Sequence, residues 1–206
     1  RGNTGLGFGL WSVSPDGGNL RNLAVRGLGM AWSSDAQWVY YTDAGTMYKV
    51  HATGGSPIPV RRDAARNVIG YDGGVLYFMV DRTLSDGHPG FEIHAAMPEG
   101  ASSRVLARIP ASRAPQWQII NPALSRGGDW LAMPLTDGPT TNIWALSTST
   151  GEWRQITDFS GRPVFIARRV SWSSDGRWIV AAVGEGDADI VMFEGSTPPG
   201  ETTGER

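Results

Sequence analysis

The feature that most restricts this chain is an internal repeat. AWSSDAQWVYYT at residues 31–42 returns as SWSSDGRWIVAA at 171–182, sharing Trp32/Trp172, Ser33/Ser173, Ser34/Ser174, Asp35/Asp175 and Trp38/Trp178. Two weaker copies lie between them. GYDGGVLYFMV (70–80) carries Tyr71 in the first tryptophan slot, and ALSRGGDWLAMPL (123–135) carries Leu124 there. Aligned on Trp38, Val75, Trp130 and Trp178, the copies step by 37, 55 and 48 residues. Self-similarity at such a period marks an array of like supersecondary units, each unable to bury its apolar faces alone.

A second unit follows each copy, a strand, a glycine turn and another strand. It reads LWSVSPDGGNLRNL (10–23), MYKVHATGGSPIPV (47–60), IHAAMPEGASSRVL (93–106) and IWALSTSTGEWRQI (143–156). Trp11, Tyr48, His94 and Trp144 hold one register, and Gly17, Gly54, Gly100 and Gly151 stand where hairpin turns call for positive φ. The apolar runs WVYYT (38–42), VLYFMV (75–80) and WIVAAV (178–183) are short, β-branched and aromatic, and bounded by turn residues. Several are apolar on both alternating faces, so these strands should be covered on both sides. The 28 glycines and 13 prolines serve as punctuation, and nine tryptophans supply core volume.

A four-stranded unit repeating every ~45 residues predicts an all-β chain, a β-propeller of four-stranded antiparallel blades. With strands labelled A to D outward from the axis, residues 8–26 supply C and D of one blade. Residues 27–62, 63–109 and 110–159 supply three complete blades, and 160–194 supply A, B and C of another, seventeen strands in about four and a half blades. Residues 1–7 read as a flexible lead-in, and GSTPPGETTGER (195–206) as a disordered tail without an apolar anchor. A closed five-blade ring needs twenty strands, so the expectation is part of a larger ring with further blades upstream. An open solenoid would need capping ends, and neither end has that character.

The W-S-x-D-x-x-W unit, followed by an isoleucine–aromatic strand and a D/T-G-G turn, resembles the TolB-like, WD-repeat-like β-propeller family. The likeness rests on Trp32 to Trp38, Trp172 to Trp178, Pro15-Asp16-Gly17-Gly18, Thr53-Gly54-Gly55 and Arg154-Gln155-Ile156-Thr157, and spans roughly residues 8–195. The last copy looks like the terminal blade of bacterial multidomain proteins in which a protein kinase or winged-helix module lies upstream. The middle copies depart from the pattern by lacking the tryptophan–serine pair. The resemblance is specific for fold and weak for function.

A formal charge of −2 gives no overall field for nucleic acid or an anionic membrane surface. No apolar run reaches the ~18–20 residues of a membrane helix. The absence of cysteine excludes disulfides and thiol catalysis, and is compatible with a periplasmic or a cytoplasmic setting. Of the basic residues only Lys49 is lysine, which reads as base-composition bias.

There is no G-x-S-x-G elbow, H-E-x-x-H, P-loop or dinucleotide fingerprint, and Gly5-Leu6-Gly7-Phe8-Gly9 precedes a strand rather than a helix. His51 reads as solvated and His94 as packed between blades, neither with a carboxylate or histidine partner visible in the sequence. Glu185, Asp187 and Asp189 lack the EF-hand pattern, and Asp189 matches Asn142 as a turn residue before strand C. Neither a cofactor nor a metal is expected.

Topology is more informative. The A–B and C–D turns emerge on one face and the B–C and D–A connections on the other. The first set reads as tight and the second as longer, with DRTLSDGHPG (81–90) its longest B–C insertion. The candidate binding rim is therefore Arg61, Arg62, Arg66, Arg82, His88, Arg113, Arg168 and Arg169, suited to carboxylates or a peptide backbone. Asp63, Asp81, Asp86, Asp158 and Asp187 share that face and make it mixed in sign. These features predict a non-enzymatic protein- or peptide-binding module. The competing expectation is the gating propeller of a prolyl oligopeptidase- or tricorn-like serine peptidase whose catalytic domain is not in this chain. A metal-dependent lyase would need histidines converging on the axis, and the three present are scattered.

Overall fold

A computed structural model describes residues 9–24, 26–63, 65–100, 102–115 and 120–186. Within them the chain forms sixteen strands in five antiparallel sheets. β1 (Leu10–Ser12) and β2 (Arg21–Ala24) make a two-stranded sheet. Three four-stranded meanders follow. They are β3 (Leu28–Trp32), β4 (Trp38–Asp43), β5 (Thr46–His51) and β6 (Ile58–Arg61), then β7 (Ala65–Asp72), β8 (Val75–Thr83), β9 (Pro89–Ala96) and β10 (Arg104–Pro110). The third is β11 (Ala123–Leu124), β12 (Trp130–Asp137), β13 (Thr140–Ser147) and β14 (Trp153–Gln155). β15 (Val164–Trp172) and β16 (Ile179–Glu185) form the last pair. These are propeller blades. The lead-in, the strand expected near 189–195, Asp187, Asp189 and the tail lie outside the described residues.

The repeat is an identity of hydrogen-bond register. Trp32 pairs with Val39, Tyr71 with Leu76, Leu124 with Leu131 and Trp172 with Ile179, each partner following an aligned position of the repeat by one residue. Trp11, Tyr48, His94 and Trp144 pair with Asn22, Pro59, Val105 and Gln155 on the next strand out. Pairing in antiparallel hairpins is set by the turn and the side-chain alternation, so local sequence carries it.

The serine–aspartate pair of the motif shapes the A–B turn. Ser33 Oγ donates to Asp35 Oδ1 and accepts from the Trp38 amide at 2.9 Å, while the Gln37 amide donates to Asp35 at 3.0 Å. Ser173, Asp175, Arg177 and Trp178 repeat this arrangement, and Ser125 accepts from the Trp130 amide. The Ser33 hydroxyl, helped by the Gln37 amide, holds the Asp35 carboxyl below its ordinary value. At the glycine turns, Gly17, Gly54 and Gly151 do adopt positive φ. Gly100 is absent from the positive-φ residues, although its amide closes the turn on the Met97 carbonyl at 3.0 Å as the Gly17 and Gly54 amides do on Ser14 and His51.

Four apolar clusters fill the spaces between the five sheets. Leu10 and Leu23 meet Val39 and Tyr41. Tyr40 and Met47 meet Val68, Leu76 and Phe78. Met79 and Ile93 meet Leu131 and Met133, and Ala132 and Ile143 meet Val164 and Ile166. The middle strands β8 and β12 are buried on both faces, as their unbroken apolar runs predicted. The innermost strands β3, β7, β11 and β15 pack against one another in sequence.

Candidate functional site

The face carrying the B–C and D–A connections differs from the sequence expectation. Of its three B–C connections among the described residues, two are two-residue turns, because Asp43 pairs with Thr46 and Asp137 with Thr140. Ala44 and Gly45 both have positive φ, the mirror-image turn that matches strand twist, and Gly138 starts the other turn with φ 61°. The third connection is different. β8 and β9 keep pairing as far as Thr83 and Pro89, so this hairpin projects.

The hairpin's tip is ordered. The Leu84 amide donates to the His88 carbonyl at 2.8 Å, the Gly87 amide to Leu84 at 2.9 Å, and the His88 amide to Asp86 Oδ1 at 3.0 Å. At its base, Arg66 Nη1 meets Asp81 Oδ1 at 2.9 Å and its guanidinium lies 5.4 Å from the Phe91 ring centroid. A groove of about 380 Å³ opens here between Arg66, Asp81, Arg82, Thr83, Pro89 and Phe91.

The eight rim candidates therefore divide. Arg66 and Arg82 share the groove, and exposed His88 stands at the tip of the same hairpin. Arg62 is exposed on the connection from β6 to β7, apart from that groove. Arg61 is a correction. Its side chain is only 3% exposed, lies over Phe78, and donates to Asp63 and to the carbonyls of Met97 and Gly100. A buried guanidinium survives only when its donors are met, and here it ties one blade to the turn of the next. Arg113 lies in a 3-10 turn over the Trp144 ring, with Nη2 2.5 Å from Asp137 Oδ1. Arg168 and Arg169 belong to strand β15 rather than to a loop, and exposed Arg169 lines an axial cavity.

One cluster was not legible as such. His94 is buried as expected and stacks on Phe78 with centroids 5.2 Å apart, but it has a carboxylate partner after all. Its Nε2 is 3.0 Å from Glu92 Oε2, and its Nδ1 is 2.9 Å from Ser103 Oγ. Arg82 and Arg108 also reach Glu92, at 3.3 and 2.9 Å. The signal available in the sequence was the two-residue spacing of Glu92 and His94, which puts them on one face of a strand. A hydroxyl–imidazole–carboxylate chain has the order of a nucleophile, base and orienter. Here, however, two arginines share the carboxylate, and the cluster fastens β8, β9 and β10 together.

Burial alone would raise the Glu92 carboxyl, but the hydrogen bonds and charges of His94 and Arg108 outweigh it and hold the carboxyl below its ordinary value. Its stabilisation is therefore complete above the unfolded value of 4.5 and disappears as pH falls through the lower folded value. Urea unfolding should show Glu92→Gln losing about 1–2 kcal/mol at pH 6. The variant should also lose less than the parent does between pH 6 and pH 3.

Among the described residues no three His, Asp or Glu side chains gather to hold a metal ion, and no helix is long and apolar enough to cross a membrane. No family model matches the chain, and no curated protein matches it. Solved structures do. TolB from Acinetobacter baumannii superposes with a TM-score of 0.61 at 18% identity, over 83% of this chain and 42% of that one. A protein assigned as TolB from Agrobacterium tumefaciens gives 0.58 at 19%, over 79% of this chain and 57% of that one. The chain thus spans about half the length of these two structures. Three four-stranded meanders flanked by two hairpin sheets, inner strands side by side and these superpositions together make the chain a β-propeller with the fold of the TolB proteins.

Proposed function

We propose that this chain is a non-enzymatic binding module, a rigid propeller that presents the β8–β9 hairpin and its adjoining groove to a protein or peptide partner. The observation that carries this reading is the projecting hairpin itself, held by three hydrogen bonds at its tip beside a groove lined by Arg66 and Arg82. An ordered projection loses little entropy on binding, and arginines offer planar donors to carboxylates and backbone carbonyls.

The test is selection of displayed peptides on the immobilised protein. Enriched peptides should bind Arg82→Ala/His88→Ala at least tenfold more weakly than the parent. Unchanged affinity would move the site elsewhere. Intrinsic hydrolase turnover, abolished by a single substitution in this chain, would overturn the non-enzymatic reading.

The same reading places the sheets in a larger ring. Val180 on the outward face of β16 is 64% exposed, whereas its register equivalents Tyr40, Tyr77 and Ala132 are 6%, 7% and 0% exposed, buried against the following blade. Trp178 on that face is exposed as well. A further blade packed there would cover an apolar surface of the kind every other blade buries.

A further inference from the structure

Each boundary among the first four sheets carries a cation that reaches the outer turn of the next sheet. Arg21 on β2 donates to the Thr53 carbonyl, in the β5–β6 turn, at 3.4 Å. Arg104 on β10 donates to the Thr148 and Ser149 carbonyls of the β13–β14 turn, at 2.6 and 3.5 Å. Between them, Lys49 meets Glu99 at 2.5 Å and Arg61 meets the Met97 and Gly100 carbonyls, all in the β9–β10 turn.

The pattern is one of register. Arg21, Arg104 and Arg154 pair with Ser12, Ala95 and Ala145, the residues that follow Trp11, His94 and Trp144. In the second sheet Ile58 holds that place, and one of the two cations is its pairing partner, Lys49. Arg154 on β14 is thus the next member of the series. It is exposed, and among the described residues its guanidinium meets no acceptor.

The space such an acceptor would enter is open. A groove of about 470 Å³ lies between Trp130, Arg154 and Ile156 of the fourth sheet and Trp178 and Ile179 of the last. Ile156 is 41% exposed and Trp178 66%. β16 pairs only with β15, whereas β4, β8 and β12, in the same place of their sheets, each carry a third strand on the edge that β16 leaves bare. A bare edge offers unpaired amides and carbonyls to an added strand.

The chain itself carries a fitting segment. DIVMFEG (189–195) follows β16 after residues 186–188, and the β4–β5 and β12–β13 connections turn within two residues. So short a loop costs less to close than capture of a second molecule. Aligned on Asp189 and Asn142, Val191 and Phe193 stand where Trp144 and Leu146 pack toward the preceding sheet. Gly195 and Ser196 stand where Thr148 and Ser149 accept from Arg104.

We infer that residues 189–196 fill this groove, adding a third strand to the free edge of β16 and seating the Gly195 and Ser196 carbonyls on the Arg154 guanidinium. The last blade is then fastened by the same device as the blades before it. The β8–β9 hairpin takes no part, so the partner reading stands or falls separately.

Amide hydrogen exchange of the whole chain, followed by NMR, is the test. The amides of residues 190–193 should exchange on the order of a hundredfold more slowly than in an unstructured chain. Arg154→Ala should speed their exchange roughly tenfold, the effect of losing a hydrogen bond from a charged donor. Arg177→Ala, on the other wall of the same groove, should leave it unchanged, which separates the carbonyl contact from general charge. Protection of the β8 and β9 amides confirms that each variant is folded. Unprotected amides at 190–193 in the folded parent would overturn the inference, as would parent-like protection in Arg154→Ala. Equal losses from Arg154→Ala and Arg177→Ala would overturn it as well. So would protection that rises with protein concentration alongside a dimer in sedimentation, which would give the groove to a second copy.

Discussion

Phe78→Ala should lower the unfolding free energy by about 3–5 kcal/mol, the usual cost of emptying a buried phenylalanine site. Phe78 is fully buried in the cluster between the second and third sheets. One neighbour is the buried Arg61 guanidinium, 5.7 Å from the ring centroid, and another is the His94 ring stacked on it. Both are polar groups whose hydrogen bonds depend on their position, so the cavity would also loosen two networks. The urea midpoint should fall, and Tm should drop by roughly 10 °C for a chain of this size. Phe78→Leu keeps most of the volume and should cost less than half as much. Equal losses from the two variants would refute the packing explanation.

Gly29→Ala should be nearly as damaging, for a different reason. Gly29 has φ 55°, and a Cβ there would stand 2.6 Å from the Val68 carbonyl oxygen and 2.7 Å from its amide nitrogen. Neither backbone atom can move without parting β3 from β7. Left-handed strain of ~1–2 kcal/mol is then joined by an overpacking cost of ~1–3 kcal/mol. Gly73 provides the control. Its φ is 54°, and a Cβ there would meet nothing within 4 Å, so Gly73→Ala should show only the strain. Chemical denaturation of the two variants separates conformation from crowding. Equal destabilisation would show that the β3–β7 approach is not tight.

Much of the fold could be read from the residues because a propeller blade is assembled from local hairpins. The spacing of Trp32 and Trp38, and of Trp172 and Trp178, marks a turn whose serine and aspartate side-chain hydrogen bonds stay within residues 33–38 and 173–178. The register of each hairpin follows from such turns. Less of the candidate site was readable. Arg61 and Arg62 are neighbours in a charged stretch, yet one is buried and the other exposed. What separates them is strand alternation and the Met97 and Gly100 carbonyls supplied by the next blade. Glu92 likewise reads as a surface charge until Arg82, Arg108 and His94 converge on it from three strands.

The chain's own pattern settles the four-stranded unit, its repetition and its pairing register, since these depend on turn geometry and period-two alternation within about fifteen residues. The packing of one blade on another settles the rest. Gly29 leaves its ladder where β7 comes close, and Arg169 comes to line the axial cavity where β15 leaves its own. Those bulges answer to backbone atoms distant in sequence. The axial cavity and its charge therefore arise only when the blades stand side by side.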